Sequence, residues 1–308
     1  MGIPDDRIPL KMGRDSADMR TGVHIDLYRF FLNRSIQIYA FNNAYKEATL
    51  DAISSALIGK GKIQISGSIN ELGYEELWKY CRNDAALTLE LTSFDESLVM
   101  NLVVLLMRIS RAPMEEIARR AVSSWIRSLF IALHRERGIL VPNREDILKL
   151  KGELVTTAII KGKKYKGAIV LQPKPGVHFN VTVMDFASLY PSVIARYNLS
   201  YETVRCPHDE CKDNRIAELP HWACRKVRGI TSSVIGTLRD LRVGFYVPLS
   251  REASSKLAMK KYEVAQRALK VFLNASYGVM GAENFQFYTP PVAESVTALG
   301  RLILTDVI

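Results

Sequence analysis

The sequence predicts a mixed α+β chain of about two domains. Three observations carry this. The 308 residues are 48% hydrophobic and 24% charged, enough apolar material for sizeable cores. The run Phe179–Met184 is apolar with β-branched residues, as a buried strand would be, and ends in one carboxylate, Asp185. Around it lie long stretches with apolar residues at helical spacing: Glu75–Leu91, Ser97–His134, Ile230–Tyr246 and Glu252–Ser276.

Charge narrows the function classes. A net charge of +10 favours a polyanionic partner, because Lys and Arg that neutralise phosphates release counterions. A basic protein without nucleic acid fits the charge equally well. No apolar run is long enough to span a bilayer and no secretory leader is visible, so no membrane partner and a cytoplasmic location are expected. Four cysteines in such a chain argue against a disulfide framework and leave metal binding open.

The central stretch reads as strand, acid, turn and helix start. Phe186-Ala187-Ser188 follows Asp185, and Pro191 stands where its fixed φ suits a first helical turn. An acid at a strand end can hold a divalent metal, and the free N–H groups of the new helix can hold phosphate oxygens. That combination serves phosphoryl transfer. A carboxylate that merely caps the helix explains the same residues.

The string DFASLYPSVI from Asp185 resembles the first polymerase motif of family B DNA polymerases, D-x-x-S-L-Y-P-S. The resemblance implies that Asp185 is one of two catalytic aspartates binding magnesium. It implies that backbone N–H groups of Phe186, Ala187, Ser188, Leu189 and Tyr190 face the incoming dNTP. It also implies that the Tyr190 ring lies under the deoxyribose and blocks a 2′-hydroxyl.

In chain order, Met1–Arg20 reads as a loop and His24–Tyr28 as a short strand. Tyr45–Leu57 reads as a helix and residues 58–73 as a surface connection. In the helix Glu75–Leu91, Tyr80 and Asp84 share one face at i and i+4. They fit Y-x-x-x-D, the third motif of the family's 3′-5′ exonuclease, where the Asp binds a metal and the Tyr orients water. A purely structural Tyr–Asp face also accounts for them. The first two exonuclease motifs have no match, so no independent nuclease activity is expected.

Ser97–His134 is read as core helices broken at Pro113. Tyr165-Lys166-Gly167-Ala168 resembles the family's Y-x-G-G element, which implies contact with single-stranded template DNA. A hairpin turn with exposed lysines is the alternative.

Past the central motif come Cys206-Pro-His208-Asp-Glu-Cys211 and His221-Trp-Ala-Cys224. Cys206, Cys211, His221 and Cys224 can supply a tetrahedral zinc site; a disulfide or free thiols are the alternatives. This insertion, with the Y-x-G-A element, places the resemblance nearest the archaeal replicative branch.

Ile230–Tyr246 resembles the first fingers helix, with Arg242, or else Arg239, gripping the triphosphate. A family lysine one turn later falls on Tyr246. Lys270 to Gly278 resembles K-x-x-x-N-S-x-Y-G, with Ala275 in the usual Ser place. At about 100° per residue, Lys270, Asn274 and Tyr277 fall within roughly 60° of one another. The resemblance implies Lys270 on phosphates, Asn274 beside it, Tyr277 against the nascent base pair, and Gly278 leaving room and ending the helix.

The expected organisation is a ribonuclease-H-like exonuclease remnant (1–95), linking helices (96–150), palm with an antiparallel sheet and the first motif (151–202), a Cys/His insertion (203–228), two-helix fingers (229–280) and a second palm segment (281–308). The family's third polymerase motif, Y-G-D-T-D, with the second aspartate, has no match. The expected function is therefore that of a DNA-directed DNA polymerase fragment, inactive alone. It would act on primer-template DNA and dNTP, with a sliding clamp or the remaining polymerase segment as further partners. A non-catalytic or split subunit binding DNA or a partner chain is the alternative.

Overall fold

Helices account for nearly all regular structure, because apolar residues recur at helical spacing through most of the chain. The structure is a computed structural model that describes residues 10–12, 17–19, 22–152, 167–169 and 171–307. Two units divide at Trp125 and Ile126.

The first unit opens with a two-stranded antiparallel hairpin, β1 (Leu10–Met12) and β2 (Ala17–Met19), with Leu10 opposite Met19. Helix α1 (Leu27–Leu32) replaces the strand expected at His24–Tyr28. The reason is local: the Asp26 carboxylate accepts from the Arg29 N–H at 3.0 Å, an N-cap that starts a helix. Phe30, Phe31, Phe41 and Tyr45 form an aromatic core, and the Tyr45 hydroxyl donates to the Phe31 carbonyl at 2.8 Å. Burial pushes the Tyr45 phenol well above its ordinary range.

Helix α2 (Leu50–Ile58) begins later than expected, at the Thr49 cap, and ends at Gly59 with φ of 70°. That left-handed conformation is the one glycine adopts without steric cost. Helix α3 (Tyr74–Ser110) breaks at Phe94–Ser97, where three consecutive residues are left-handed. The break falls between the two helical stretches read from the sequence. Pro113 caps α4 (Met114–Arg119), so the expected interruption there is present. Helix α5 (Val122–Glu136) then runs across the division between the units.

In the second unit, α6 (Arg144–Lys151) ends in a buried lysine. Its Nζ donates to the carbonyls of Glu202, Val204 and Arg205 at 3.0–3.3 Å. Three carbonyls satisfy the three ammonium protons, and burial lowers the lysine pKa. Helices α7 (Leu189–Arg196), α8 (Ile230–Asp240), α9 (Val247–Glu252), α10 (Lys256–Met280) and α11 (Pro290–Thr305) complete the unit. A wide helical turn, Leu241–Tyr246, joins α8 to α9. Phe130 meets Phe285 and Phe287 edge-to-face, and those two rings are tilted against each other. Helix α8 approaches α7 closely at Gly236, where an added Cβ would lie 3.1 Å from the Ala195 Cβ.

The expected palm sheet is absent among the described residues. Phe179–Met184 has no ladder partner there, and Phe179, Val183 and Met184 are more than 80% exposed. Apolar β-branched residues favour extension, but a strand exists only when another strand takes its N–H and C=O groups. No described helix is long and apolar enough to cross a membrane.

Candidate nucleotide site

Ser188 stands at the head of α7 with φ 60° and ψ 50°, a left-handed turn that reverses the chain into the helix. Its carbonyl accepts the first helical bond, from the Ser192 N–H at 3.0 Å. A helix start leaves first-turn N–H groups without intrahelical acceptors, and the helix dipole makes this end electropositive. Asp185, three residues earlier, is exposed.

Arg242 comes to this helix end from the turn after α8. One of its terminal nitrogens (NH1) donates to Ser188 Oγ at 3.2 Å, and the other (NH2) to Gln266 Oε1 at 3.4 Å. Its Nε is buried without a hydrogen-bond partner. Burial pulls the guanidinium pKa down. Lys270 is lowered first by burial and then by the charges of Arg242 and Arg267. The charges of Arg242 and Arg267 thus disfavour the Lys270 ammonium, an effect that a bound anion would offset. Arg267 pairs with Glu263. Neither Gln266 nor Arg267 is absent from the sequence pattern, since both extend the polar face of α10.

Arg239, the alternative to Arg242, lies on α8 and meets α7 one turn further on, at Ser192. Its Nε donates to Ser192 Oγ at 3.2 Å and its NH1 pairs with Asp240 at 2.6 Å. Tyr190 of α7 and Tyr277 of α10 bring their rings to 4.5 Å, tilted by 44°. Gly300 of α11 lets that pair form: an added Cβ would come within 3.0 Å of the Tyr190 ring. Sequence reasoning passed over Gly300, because the close approach joins residues more than a hundred positions apart. Asn274 is half-buried on the Tyr277 face. Gly278 does not end the helix; α10 continues to Met280 and caps at Gly281. With nothing within 4 Å of its built Cβ and no positive φ, Gly278 has no geometry that would stop a helix.

In the first unit, Tyr80 and Asp84 do share a face of α3. Lys62 joins them: its Nζ lies 2.8 Å from Asp84 Oδ2 and 4.7 Å from the Tyr80 ring centre. Hydrogen bonding to Asp84 and Tyr80 raises the Lys62 pKa. Asp84 Oδ1 is buried without a hydrogen-bond partner. The sequence placed Lys62 in a surface connection, and no local pattern ties it to α3. Tyr165 and Lys166 lie outside the described residues. The Gly167 carbonyl accepts from Arg301 at 3.0 Å.

The cysteine insertion gathers three of its four expected ligands and replaces the fourth. Cys206, Cys211 and Cys224 lie with His208, all ligand atoms within 4.8 Å of one another. The correction concerns His221. Its Nδ1 accepts from Arg205 Nε at 3.1 Å, so its Nε2 carries the proton and donates to Glu294 Oε2 at 2.7 Å. Both nitrogens of this fully buried ring are occupied, which leaves no lone pair for a metal. Two histidines flank the thiols in sequence, and only the fold selects between them.

Comparison with known proteins gives the family. Residues 112–308 match the model for DNA polymerase family B. A "DNA polymerase 1" of Sulfurisphaera ohwakuensis is 46% identical over all of this chain and 36% of its own length. A "DNA polymerase 1" of Aeropyrum pernix is 47% identical over 99% of this chain and 32% of its own. The solved family B DNA polymerase from the hyperthermophilic archaeon Pyrobaculum calidifontis is similar at a TM-score of 0.63 and 28% identity, covering 86% of this chain and 34% of that one. The chain thus spans about a third of the length of the relatives it matches. With the family model matching well over half of its residues, the chain belongs to DNA polymerase family B.

Proposed function

We propose that this chain carries the nucleotide-selecting centre of a template-directed DNA polymerase that adds a deoxynucleotide to a primer 3′-hydroxyl. The observation that carries the reading is Arg242, which bonds Ser188 at the head of α7 and Gln266 of α10, one turn before Lys270. Mutually repelling cations at a helix N-terminus suit a polyanion such as a triphosphate. Arg242 and Lys270 would grip its phosphates, and the N–H groups from Phe186 to Tyr190 would hold the oxygens nearest α7. The Tyr190 ring, braced by Tyr277 at 4.5 Å, would pack under the sugar and leave no room for a 2′-hydroxyl.

Asp185 offers an exposed carboxylate, a hard oxygen ligand that fits magnesium. Bound there, such an ion supplies charge neutralisation and Lewis acidity at the reacting phosphate. No group of three or more acidic, Cys or His side chains gathers around Asp185 among the described residues. Asp185 would supply one carboxylate of such a site. Tyr80 and Asp84 are read as part of a 3′-5′ exonuclease face, with Lys62 occupying the carboxylate.

Two measurements test this. Lys270→Ala should weaken binding of a fluorescent deoxynucleoside triphosphate by this chain about tenfold, the loss of one charge-assisted contact. In a polymerase containing this segment, Asp185→Ala should abolish primer extension and leave primer-template binding largely intact. Unchanged triphosphate affinity together with normal extension would sink the reading.

A further inference from the structure

We propose that Cys206, His208, Cys211 and Cys224 hold one structural zinc ion, and that this ion sets the base from which α8 leaves α7. The ligand atoms already lie within 4.8 Å of one another. His208 Nδ1 is 3.4 Å from Cys224 Sγ. Two ligands on one tetrahedral zinc, with bonds of about 2.3 Å to sulfur and 2.0 Å to nitrogen, stand roughly 3.6 Å apart. Three thiolates and one imidazole is a closed structural set, with no position left for substrate. Outer contacts favour it as well: the Arg225 N–H donates to Cys211 Sγ at 3.4 Å.

A metal also explains the packing. The three cysteines form a buried cluster, with the partly buried Trp222 packed against it. The surrounding chain holds one three-residue helical turn, Asp209–Cys211, and two isolated bridges, Val204 with Ala223 and Arg215 with Trp222. Buried Val204, Ile216 and Leu219 are the main further apolar support for these turns, and zinc binding would add to it. A disulfide would consume two of the clustered sulfurs and leave the third buried beside an imidazole.

The consequence reaches α8 through Asn198. Its Nδ2 donates to the Cys224 carbonyl at 2.9 Å and to the Val227 carbonyl at 2.8 Å. Its Oδ1 accepts from the Gly229 N–H at 2.9 Å and from Ser232 Oγ at 2.7 Å. One amide just past the end of α7 thus ties the last cysteine to the first turn of α8. The ion fixes Cys224, Cys224 fixes Asn198, and Asn198 fixes where α8 begins. This role is separate from the nucleotide reading, and its test does not depend on catalysis.

The full chain, purified without chelator, should carry one zinc per molecule by elemental analysis. Replacing zinc with cobalt should give the intense d–d and thiolate charge-transfer bands of a tetrahedral sulfur-rich site. His208→Ala should lose the metal or alter that spectrum, whereas His221→Gln should keep both. Chelation should lower Tm by about 5 °C or more and speed amide exchange in the first turn of α8. Three results would overturn the proposal: a folded chain without stoichiometric metal after growth in added zinc, an intact mass short of two hydrogens that marks a disulfide, or a His208→Ala protein with unchanged zinc and cobalt spectrum. Should His208→Ala fail to fold, the cobalt spectrum of the unaltered chain decides.

Discussion

Lys270 is held charged against its surroundings, and that has a readable consequence. Burial, Arg242 and Arg267 all push its pKa below the ordinary lysine range. In the window between the folded and unfolded values the unfolded chain binds more protons, so this residue makes stability rise with pH there. A triphosphate reverses the sign at the site, because its charge favours the ammonium form. Binding should therefore take up a proton, and affinity should fall as pH rises through the free-state pKa. Calorimetric titration in buffers of differing ionisation enthalpy measures the uptake. Lys270→Met should flatten the pH dependence; an equal dependence in both proteins would remove Lys270 from the phosphate site.

The same scale shows what residue spacing can and cannot reveal. Lys270, Asn274 and Tyr277 were legible as one face because a helix repeats every 3.6 residues. Arg242 was legible only by resemblance, since its partners Ser188 and Gln266 are 54 and 24 positions away. The sequence reading chose His221 from its spacing to Cys224, but the Glu294 carboxylate of α11 holds that ring and His208 stands with the thiols.

At the scale of elements, the packing of α8 on α7 depends on Gly236. A Cβ there meets the Ala195 Cβ at 3.1 Å, a few tenths of an ångström too close. Against this, Ala in a helix interior is favoured over Gly by about 1 kcal/mol. The two effects nearly cancel, so Gly236→Ala should change stability by less than about 1 kcal/mol. Gly236→Val adds two methyl groups in the same gap and should cost about 1–3 kcal/mol. Denaturant melts of the two variants give the comparison directly. A Val variant as stable as the parent would mean that the helices are free to part.

The long helices were readable because their periodicity is local, and their caps sharpened the ends. Ser255 heads α10 by accepting from the Ala258 N–H at 3.2 Å, a capping pattern of the kind that short polar side chains make. The strand readings at 24–28 and 179–184 were not sustained, for different reasons. The first lost to an N-cap within four residues. The second has no described partner, and propensity carries no information about a partner.

At the scale of the whole molecule, the net charge of +10 is the main evidence for a nucleic acid partner that does not rest on the nucleotide site. If the basic surface meets a DNA backbone, log affinity should fall linearly with log salt, with a slope near −0.9 for each phosphate neutralised on duplex DNA. Fluorescence anisotropy on a primer-template from about 50 to 200 mM salt, the range over which several phosphate contacts change affinity strongly, measures the slope. A salt-independent affinity would assign the charge to solvation alone.

The sequence by itself determined the long helices, the turn and helix start after Asp185 and the family, because each is written in residues close together in the chain. Tertiary structure alone decided which arginine reaches Ser188, which histidine joins the thiols, that Lys62 occupies Asp84, and that Gly300 makes room for Tyr190. The division has one physical cause. Helical periodicity and caps are satisfied within a few residues. Ion pairs, metal ligands and close ring contacts are satisfied across space, by groups whose separation along the chain leaves no trace in local pattern.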